Sequence, residues 1–479
     1  MESVNSAVCR RKFFRKSGII LVIAACFLMA SCTTKAVKRQ QAADDKIGTG
    51  DYIAMVNDIK KNTKLYGETN AFLFNMDIGV LFHYAGMYDS SNVYLARAYN
   101  IYDELFTRSV TNETVALLTN DNVRPYRAKP YELIMVHQIA ALNFMAKGNF
   151  ESALVETRKA QIHFNEWERT QAPSGKYHTD GMFHLFSSAA YEKTGEIDNS
   201  SISLFKSVDA YKKGPVKLPV EVEGFAYARL TADNRGGDVQ KLKLRPNTGA
   251  NAWDAKFGDA EIIVVAHAGR GPSMRENNWR GVWTAGIIVI DNEKKGSERL
   301  TFKIPAPMPP NHKATNGMVI KISLPDLVNH PVRTSYFTAQ VGNAEARSVV
   351  VNDIGLQAKK ALDDAWGDII ARTAVRTIIR TIANQELKKR TEVKDNPLLN
   401  FAKNVATDVA TDQMEKADIR MCFYLPQSVQ VIRIPVEPGT HNVTLKVHNS
   451  SGAVIGQKAF DNVEVKAKEK KVLMHTTLR

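Results

Sequence analysis

The sequence predicts an α+β multidomain chain in which an α-helical repeat array precedes a β-rich half that is interrupted by one helical block. Three observations carry this expectation. Residues 51–214 repeat Ala, Leu, Phe and Tyr three and four apart with few β-branched runs, the period of packed helices. After Pro215, Val, Ile and Thr cluster in short runs bounded by Gly, Pro and Asn, the texture of strands and turns. Between Gly355 and Asp418 the helical period returns. With 479 residues, 44% hydrophobic and 24% charged, the chain has the composition of a core-forming protein, which excludes wholesale disorder.

The N-terminus has the order of a secretory signal. Arg10, Arg11, Lys12, Arg15 and Lys16 precede the apolar run Gly18 to Ala30, followed by Ser31, Cys32, Thr33 and Thr34. At about 1.5 Å per helical residue that run is too short for a hydrocarbon core of about 30 Å. Leu28-Met29-Ala30-Ser31-Cys32 resembles the lipobox of bacterial lipoproteins, with Met29 where that family prefers Leu. The resemblance implies removal of residues 1–31, alkylation of the Cys32 thiol by diacylglycerol, acylation of its new amine, as by palmitate, and a lipid-anchored protein. Because Thr33, not Asp, follows Cys32, it also implies the outer membrane, facing the periplasm. Residues 32–50 are polar and charged and read as a flexible tether.

Cysteine usage fits that address. Cys9 and Cys26 leave with the signal, Cys32 is modified, and Cys422 remains the one free thiol, so no disulfide forms within the mature chain. Cys422 sits in an apolar run and reads as a buried strand residue.

Residues 51–214 contain three segments of one template, which resembles a tetratricopeptide repeat. Gly79, Phe82, Gly86, Tyr88, Leu95 and Ala98 form the first; Ala141, Phe144, Gly148, Phe150, Ala153 and Ala160 the second. Ser188, Tyr191, Gly195, Ile197 and Leu204 form the third. Small residues let paired helices approach, and the turn glycines close the first helix of each pair in a left-handed conformation. The turns are spaced more widely than the roughly 34 residues of a regular array, so the repeats are degenerate.

The segment Leu117 to Glu132 lies between the first two. Two readings compete: Arg124, Tyr126, Arg127 and Lys129 grip an acidic or glycan ligand, or the loop covers the repeat stack and its tyrosines pack. His83-Tyr84-Ala85-Gly86, Asn120 to Tyr126, Leu142-Asn143 and Ala153 to Glu156, with the lipobox and a β-rich second half, resemble a family of uncharacterised bacterial envelope lipoproteins. That resemblance implies no activity. It points to a pathway near cell-wall synthesis.

In the second half, residues 215–354 read as a β-rich domain, 355–418 as the helical block and 419–479 as a β-rich C-terminal module, together sandwich-like. Strands are expected at Ala260 to Ala266, Gly286 to Ile290, Met318 to Ile322, Ser335 to Val341, Arg347 to Val351, Val429 to Val436, Asn442 to His448 and Val463 to His475. The helical block is expected to break near Lys394 to Pro397. It places Arg372, Arg376 and Arg380 in a row, either a membrane-surface face or a solvated one.

No catalytic constellation emerges, so the chain reads as a binding protein and not an enzyme. No metal or cofactor is expected: there is no Cys-x-x-Cys and no His-Glu-x-x-His, and His178 and His184 are six apart without an acidic partner on their face. The most site-like segment is His267 to Ser273, in which His267, Arg270 and Ser273 lie on a glycine-rich turn; it reads as a ligand contact, as a weak hydrolase candidate, or as a turn that needs its glycines anyway. The net charge of +14 falls to about +10 without the signal, and in an envelope the polyanions are lipids and polymers, not nucleic acid. The sequence therefore predicts a lipid-anchored scaffold or adaptor that holds an envelope protein partner in a helical-repeat groove. The alternative is an assembly or export factor for a secreted polymer or envelope glycan; a cell-wall hydrolase is the third reading.

Overall fold

The computed structural model describes residues 35–108, 122, 124–171, 179–247, 249, 253, 260–284, 287–292, 300–305, 318–390 and 416–478. Among these the chain is mixed α/β, helical first and β-rich after. The first helix, α1 (Lys35–Lys46), occupies the segment expected to be a tether. Ala36, Arg39 and Ala43 are buried, followed by Ile47, so one face of α1 docks on the body. The charged composition of this segment belongs to the other face.

Helix α2 (Tyr52–Lys61) starts where the Asp51 carboxylate accepts from the Ala54 amide at 2.9 Å, the usual first-turn cap. Four antiparallel helix pairs follow: α3 (Ala71–Tyr84) with α4 (Tyr88–Arg108), α5 (Pro130–Ala146) with α6 (Phe150–Gln171), α7 (Gly181–Lys193) with α8 (Ile197–Lys213), and α9 (Val220–Ala232) with the short α10 (Gly236–Lys241). Each pair turns through the same backbone bond. Met87 N donates to Phe82 O at 2.9 Å, Asn149 N to Phe144 O at 2.9 Å, Glu196 N to Tyr191 O at 2.8 Å and Arg235 N to Leu230 O at 2.8 Å. Gly86, Gly148, Gly195 and Asn234 occupy the left-handed position before those amides, as a helix terminator of this type requires. The helical region therefore runs to Lys241, one pair beyond the expected boundary, because Asn234 does the work of a glycine.

The inner helices α3, α5 and α7 are buried on nearly all sides, whereas α4, α6 and α8 keep polar outer faces. α7 and the C-terminal half of α5 pack on a sheet ordered β12-β1-β9-β8, made of β1 (Glu261–Arg270), β8 (Val349–Asp353), β9 (Pro426–Pro435) and β12 (Lys470–Thr477), whereas α3 shares a core with α1, α2 and residues 417–425. β1 is parallel to β12 and antiparallel to β9. Ile263 and Val265 face the helices, packing with Leu185, Phe186, Val222 and Ala226. Ile262, Val264, Ala266 and Ala268 face the other way, into a core shared with a second sheet. All ten residues of β1 are buried, as its unbroken apolar run requires of a strand covered on both faces.

The second sheet is ordered β11-β10-β6-β7, from β6 (Tyr336–Val341), β7 (Ala344–Arg347), β10 (Gly439–His448) and β11 (Val454–Val465). The expected strand from Val463 to His475 is thus two strands, β11 and β12, in different sheets, divided by the turn at Lys466–Glu469. The division into a 215–354 domain and a separate 419–479 module is also corrected, since β1 from the former is central to a sheet whose other strands include β9 and β12 from the latter. Pairing across more than 150 residues leaves no local signal in the sequence.

A third sheet, β4-β3-β2-β5, joins β2 (Ser273–Thr284), β3 (Ile287–Asn292), β4 (Leu300–Pro305) and β5 (Met318–Val328). The described helix of this block is α11 (Ile354–Arg390), and the expected break lies outside the described residues. Ile354 and Ala358 of α11 pack in the body, while Ala374, Ile370 and Ile378 cover Trp279, Trp283 and Ile322 of this third sheet. The arginine row is corrected as a surface: Arg376 is 3% exposed and Arg372 and Arg380 are half-buried, whereas Val375 and Ile379 are the exposed positions. Among the described residues no helix is long and apolar enough to cross a membrane.

Charged groups bolt the helical layer to the first sheet. Lys470 lies 2.5 Å from Glu261 and 3.2 Å from Glu192, Arg229 lies 3.2 Å from Glu192, and Arg433 meets both Glu261 oxygens at 2.8 and 2.9 Å. Burial pushes the Glu261 carboxyl up, but Arg433 and Lys470 outweigh it and hold it at about 2.

Candidate ligand cleft

The sequence-selected residues do not converge on one open site. Tyr126 is buried; its hydroxyl donates to Glu132 Oε2 at 2.5 Å and accepts from Lys129 Nζ at 2.8 Å. Lys129 also donates to the Arg420 carbonyl at 2.9 Å, and the Arg420 guanidinium donates to the Arg124 carbonyl at 2.8 Å. Of the four loop residues only Arg127 is exposed. In the described part of this loop Tyr126, Lys129 and the Arg124 carbonyl are engaged with Glu132 and Arg420, and Arg127 faces outward. Residues 109–121 lie outside the described residues, as do Cys32 and His178.

His267 is 0% exposed and faces the helices, its ring edge-on to His83 at 5.0 Å and 5.5 Å from Tyr84. Burial, with His83 and His475 nearby, holds its imidazole well below the usual histidine range. Arg270 is buried and pairs with Asp44 of α1. Ser273 Oγ lies 3.0 Å from His330 Nε2 and accepts from Gln40 of α1 at 2.9 Å. Ser273 therefore pairs with a histidine the sequence did not single out; the serine is buried under Gln40 of α1, while His330 is half-buried. Arg270 and Ser273 seat α1, and His267 packs on α3.

Among the described residues an opening large enough for a ligand lies elsewhere. A cleft of about 590 Å³ lies where the segment after α1 meets one end of both core sheets. Ile47, Gly50 and Tyr52 form one wall; Val332, Arg333 and Thr334, on the approach to β6, form the second. The third wall is the start of β11 (Ile455, Gly456, Gln457) and the end of β12 (His475, Thr476, Thr477). Among the described residues β11 and β12 each have a neighbour on one side only, so both present an unpaired backbone edge.

The rim is preorganised. The Asn449 side chain accepts from the amides of Ser451 and Ala453 at 3.1 and 2.9 Å, fixing the β10–β11 turn. The His448 ring stacks on Tyr336 at 4.5 Å and holds Thr338 and the Gly452 carbonyl at 3.0 and 3.1 Å. The register of β10 and β11 shifts between Val447 and His448, leaving Ile455 as an extra residue, 47% exposed, beside the cleft. Thr334 is 4% exposed, and among the described residues its Oγ1 has no hydrogen-bond partner. Burial, with Lys458 adding to it, holds the His475 imidazole down at about 4, so at neutral pH the ring is uncharged. Arg333 is the exposed cation among the lining residues. Together these supply backbone edges, hydroxyls and one positive charge.

Sequence reasoning missed Arg333, Thr334, Gln457 and His475. Their one signal was the alternation of β10 and β11, which reveals strands but not which edge stays open. Among the described residues no group of three or more His, Cys, Asp or Glu is placed to hold a metal. No protein-family model, no curated protein and no solved structure matches the chain.

Proposed function

We propose that the chain is a lipid-anchored cell-envelope scaffold or adaptor, attached through Cys32 at the outer membrane on its periplasmic side, that binds an extended segment of a protein partner in the cleft between β11 and β12. The cleft carries this reading, because an unpaired strand edge beside a pocket takes a peptide by strand addition: main-chain bonds give affinity, and neighbouring side chains select. Arg333 favours a peptide with an acidic side chain or a free carboxylate. The four helix pairs are read as degenerate tetratricopeptide-like repeats, and the two core sheets as a sandwich.

The partner groove moves from the helical array to the β half for a physical reason. The inner helices line the concave face of a free-standing array, but here α5 and α7 carry the chain's own sheet, with Val265, Val351 and Val431 packed among them, and α3 is covered by residues 417–425. The role is binding and not turnover: His267, offered by the sequence for catalysis, is walled in by His83 and Tyr84.

The test is photo-crosslinking in cells from a probe at Gln457, with the same probe at Arg158 on the exposed side of α6 as control. The expected result is a discrete adduct at 457, absent at 158 and weakened by Arg333→Glu. No adduct at 457, or equal adducts at both positions, overturns the proposal.

A further inference from the structure

Helix α1 changes what lipid attachment at Cys32 does to the rest of the molecule. A flexible segment of residues 32–50 would let the body wander about 24 Å from its anchor. Instead the chain is fixed from Lys35. Arg39 is buried with its guanidinium 4.8 Å from the Tyr66 ring and 5.7 Å from that of Phe423. Ala36, Ala43 and Ile47 join the body's core, Gln40 binds Ser273 and Asp44 binds Arg270. Only the links between Cys32 and Lys35 remain, a reach of about 11 Å at full extension.

The end of α1 nearest Cys32 lies in a cationic neighbourhood. Lys35 Nζ lies over Gly67, 3.5 Å from where a Cβ would stand, and α1 packs on the turn Thr63–Leu65. Lys61 and Lys64 come from that turn and the helix end before it, and Lys38 is one turn along α1. All four are exposed, and among the described residues none forms an ion pair. Glu68 is the exposed carboxylate beside them.

We infer that α1 is a rigid short leash: acylated Cys32 pins Lys35, Lys38, Lys61 and Lys64 against the headgroups of an anionic phospholipid bilayer, so that the body sits on the membrane in one orientation. This rests on the proposed acylation of Cys32. A lipid chain and a basic patch are the two signals whose combination gives stable, oriented attachment. The cleft, lined by Ile47, stands at the opposite end of α1, about 18 Å from the anchored end.

The test uses full-length acylated protein in vesicles of phosphatidylcholine with 30% phosphatidylglycerol, a fluorophore at Lys64→Cys and a headgroup-attached quencher. Mass spectrometry of the same sample reads the state of Cys32. The expected result is strong quenching that the undocking substitution Ala43→Asp relieves, and a ratio of apposed to detached molecules that falls about fivefold for each of Lys35, Lys38 and Lys61 changed to Gln. An acylated Cys32 with an unquenched probe, or quenching unaltered by Ala43→Asp and the Gln variants, overturns the leash alone. An unmodified Cys32 overturns the anchoring proposal and the leash with it.

Discussion

The amide of Cys422 donates to Oε1 of Glu132 at 3.0 Å, joining the strand-side chain to the helical layer across 290 residues of sequence. The other carboxylate oxygen of Glu132 accepts from the Tyr126 hydroxyl at 2.5 Å and the Lys129 amide at 3.0 Å. Replacing Glu132 by Leu strands all three donors in a buried site. The expected loss is on the order of 3 kcal/mol of unfolding free energy, read by urea denaturation, against less than about 1 kcal/mol for Arg127→Leu on the exposed side of the same loop.

The network around Lys470 predicts strong non-additivity. Lys470→Met leaves Glu261 and Glu192 facing each other across a buried layer with one cation fewer, and the expected cost is about 3–5 kcal/mol. Adding Glu192→Gln removes one of the carboxylates left behind. The double variant is therefore expected to be more stable than the sum of the two single effects, in a double-mutant cycle followed by thermal melts.

Gly181 and Gly236 form a matched pair. A Cβ on Gly181 would stand 2.5 Å from the Tyr211 ring, and that ring is fixed because its hydroxyl donates to the Val351 carbonyl at 2.6 Å. Gly181→Ala should cost about 1–3 kcal/mol by overpacking. Gly236 meets nothing within 4 Å and has no left-handed backbone, so Gly236→Ala should be neutral or stabilising by about 0.4–1 kcal/mol. Equal effects from the two in melting experiments would contradict the packing described.

Stability should fall on mild acidification. Burial holds His83 and His475 down at about 4 and His184 at about 3, and burial with His137 nearby holds His163 at about 4, all below the ordinary 6.5. Each such imidazole takes a proton in the unfolded chain before it does in the folded one, so its contribution is complete above pH 6.5 and is lost as pH falls toward 4. Burial raises Asp77 and Asp180 from 3.8 to about 6, which acts oppositely: between pH 6 and 4 these two gain stability as they protonate in the fold first. Four histidines outnumber two aspartates, and above pH 6 the histidines act nearly alone. Unfolding midpoints in urea should decline from pH 7.5 to pH 5, and the decline should be steeper in Asp77→Asn, which removes one opposing group.

Local signals carried much of this fold. Gly86, Gly148 and Gly195 marked three helix turns, and the apolar run at Ile262 to Ala266 marked a strand buried on both sides. What failed was whatever depends on distant chain. Residues 35–46 are rich in Lys, Asp and Gln, yet Ala36, Arg39, Ala43 and Ile47 fall on one side at helical spacing, a stripe visible in the sequence but outvoted by composition. Arg376 reads as a surface cation until α11 is seen packed on the third sheet. The cleft was invisible for the same reason, since Tyr52, Arg333, Gln457 and His475 meet only after β12 has paired with β1.

Anchoring is the claim on which the functional account stands, and metabolic labelling with a clickable palmitate tests it most directly. Wild type and Cys32→Ala would be compared in separated inner-membrane, outer-membrane and soluble fractions. The expected result is label on the wild type in the outer membrane, and an unlabelled Cys32→Ala chain. An unlabelled wild type recovered in the soluble fraction would contradict it.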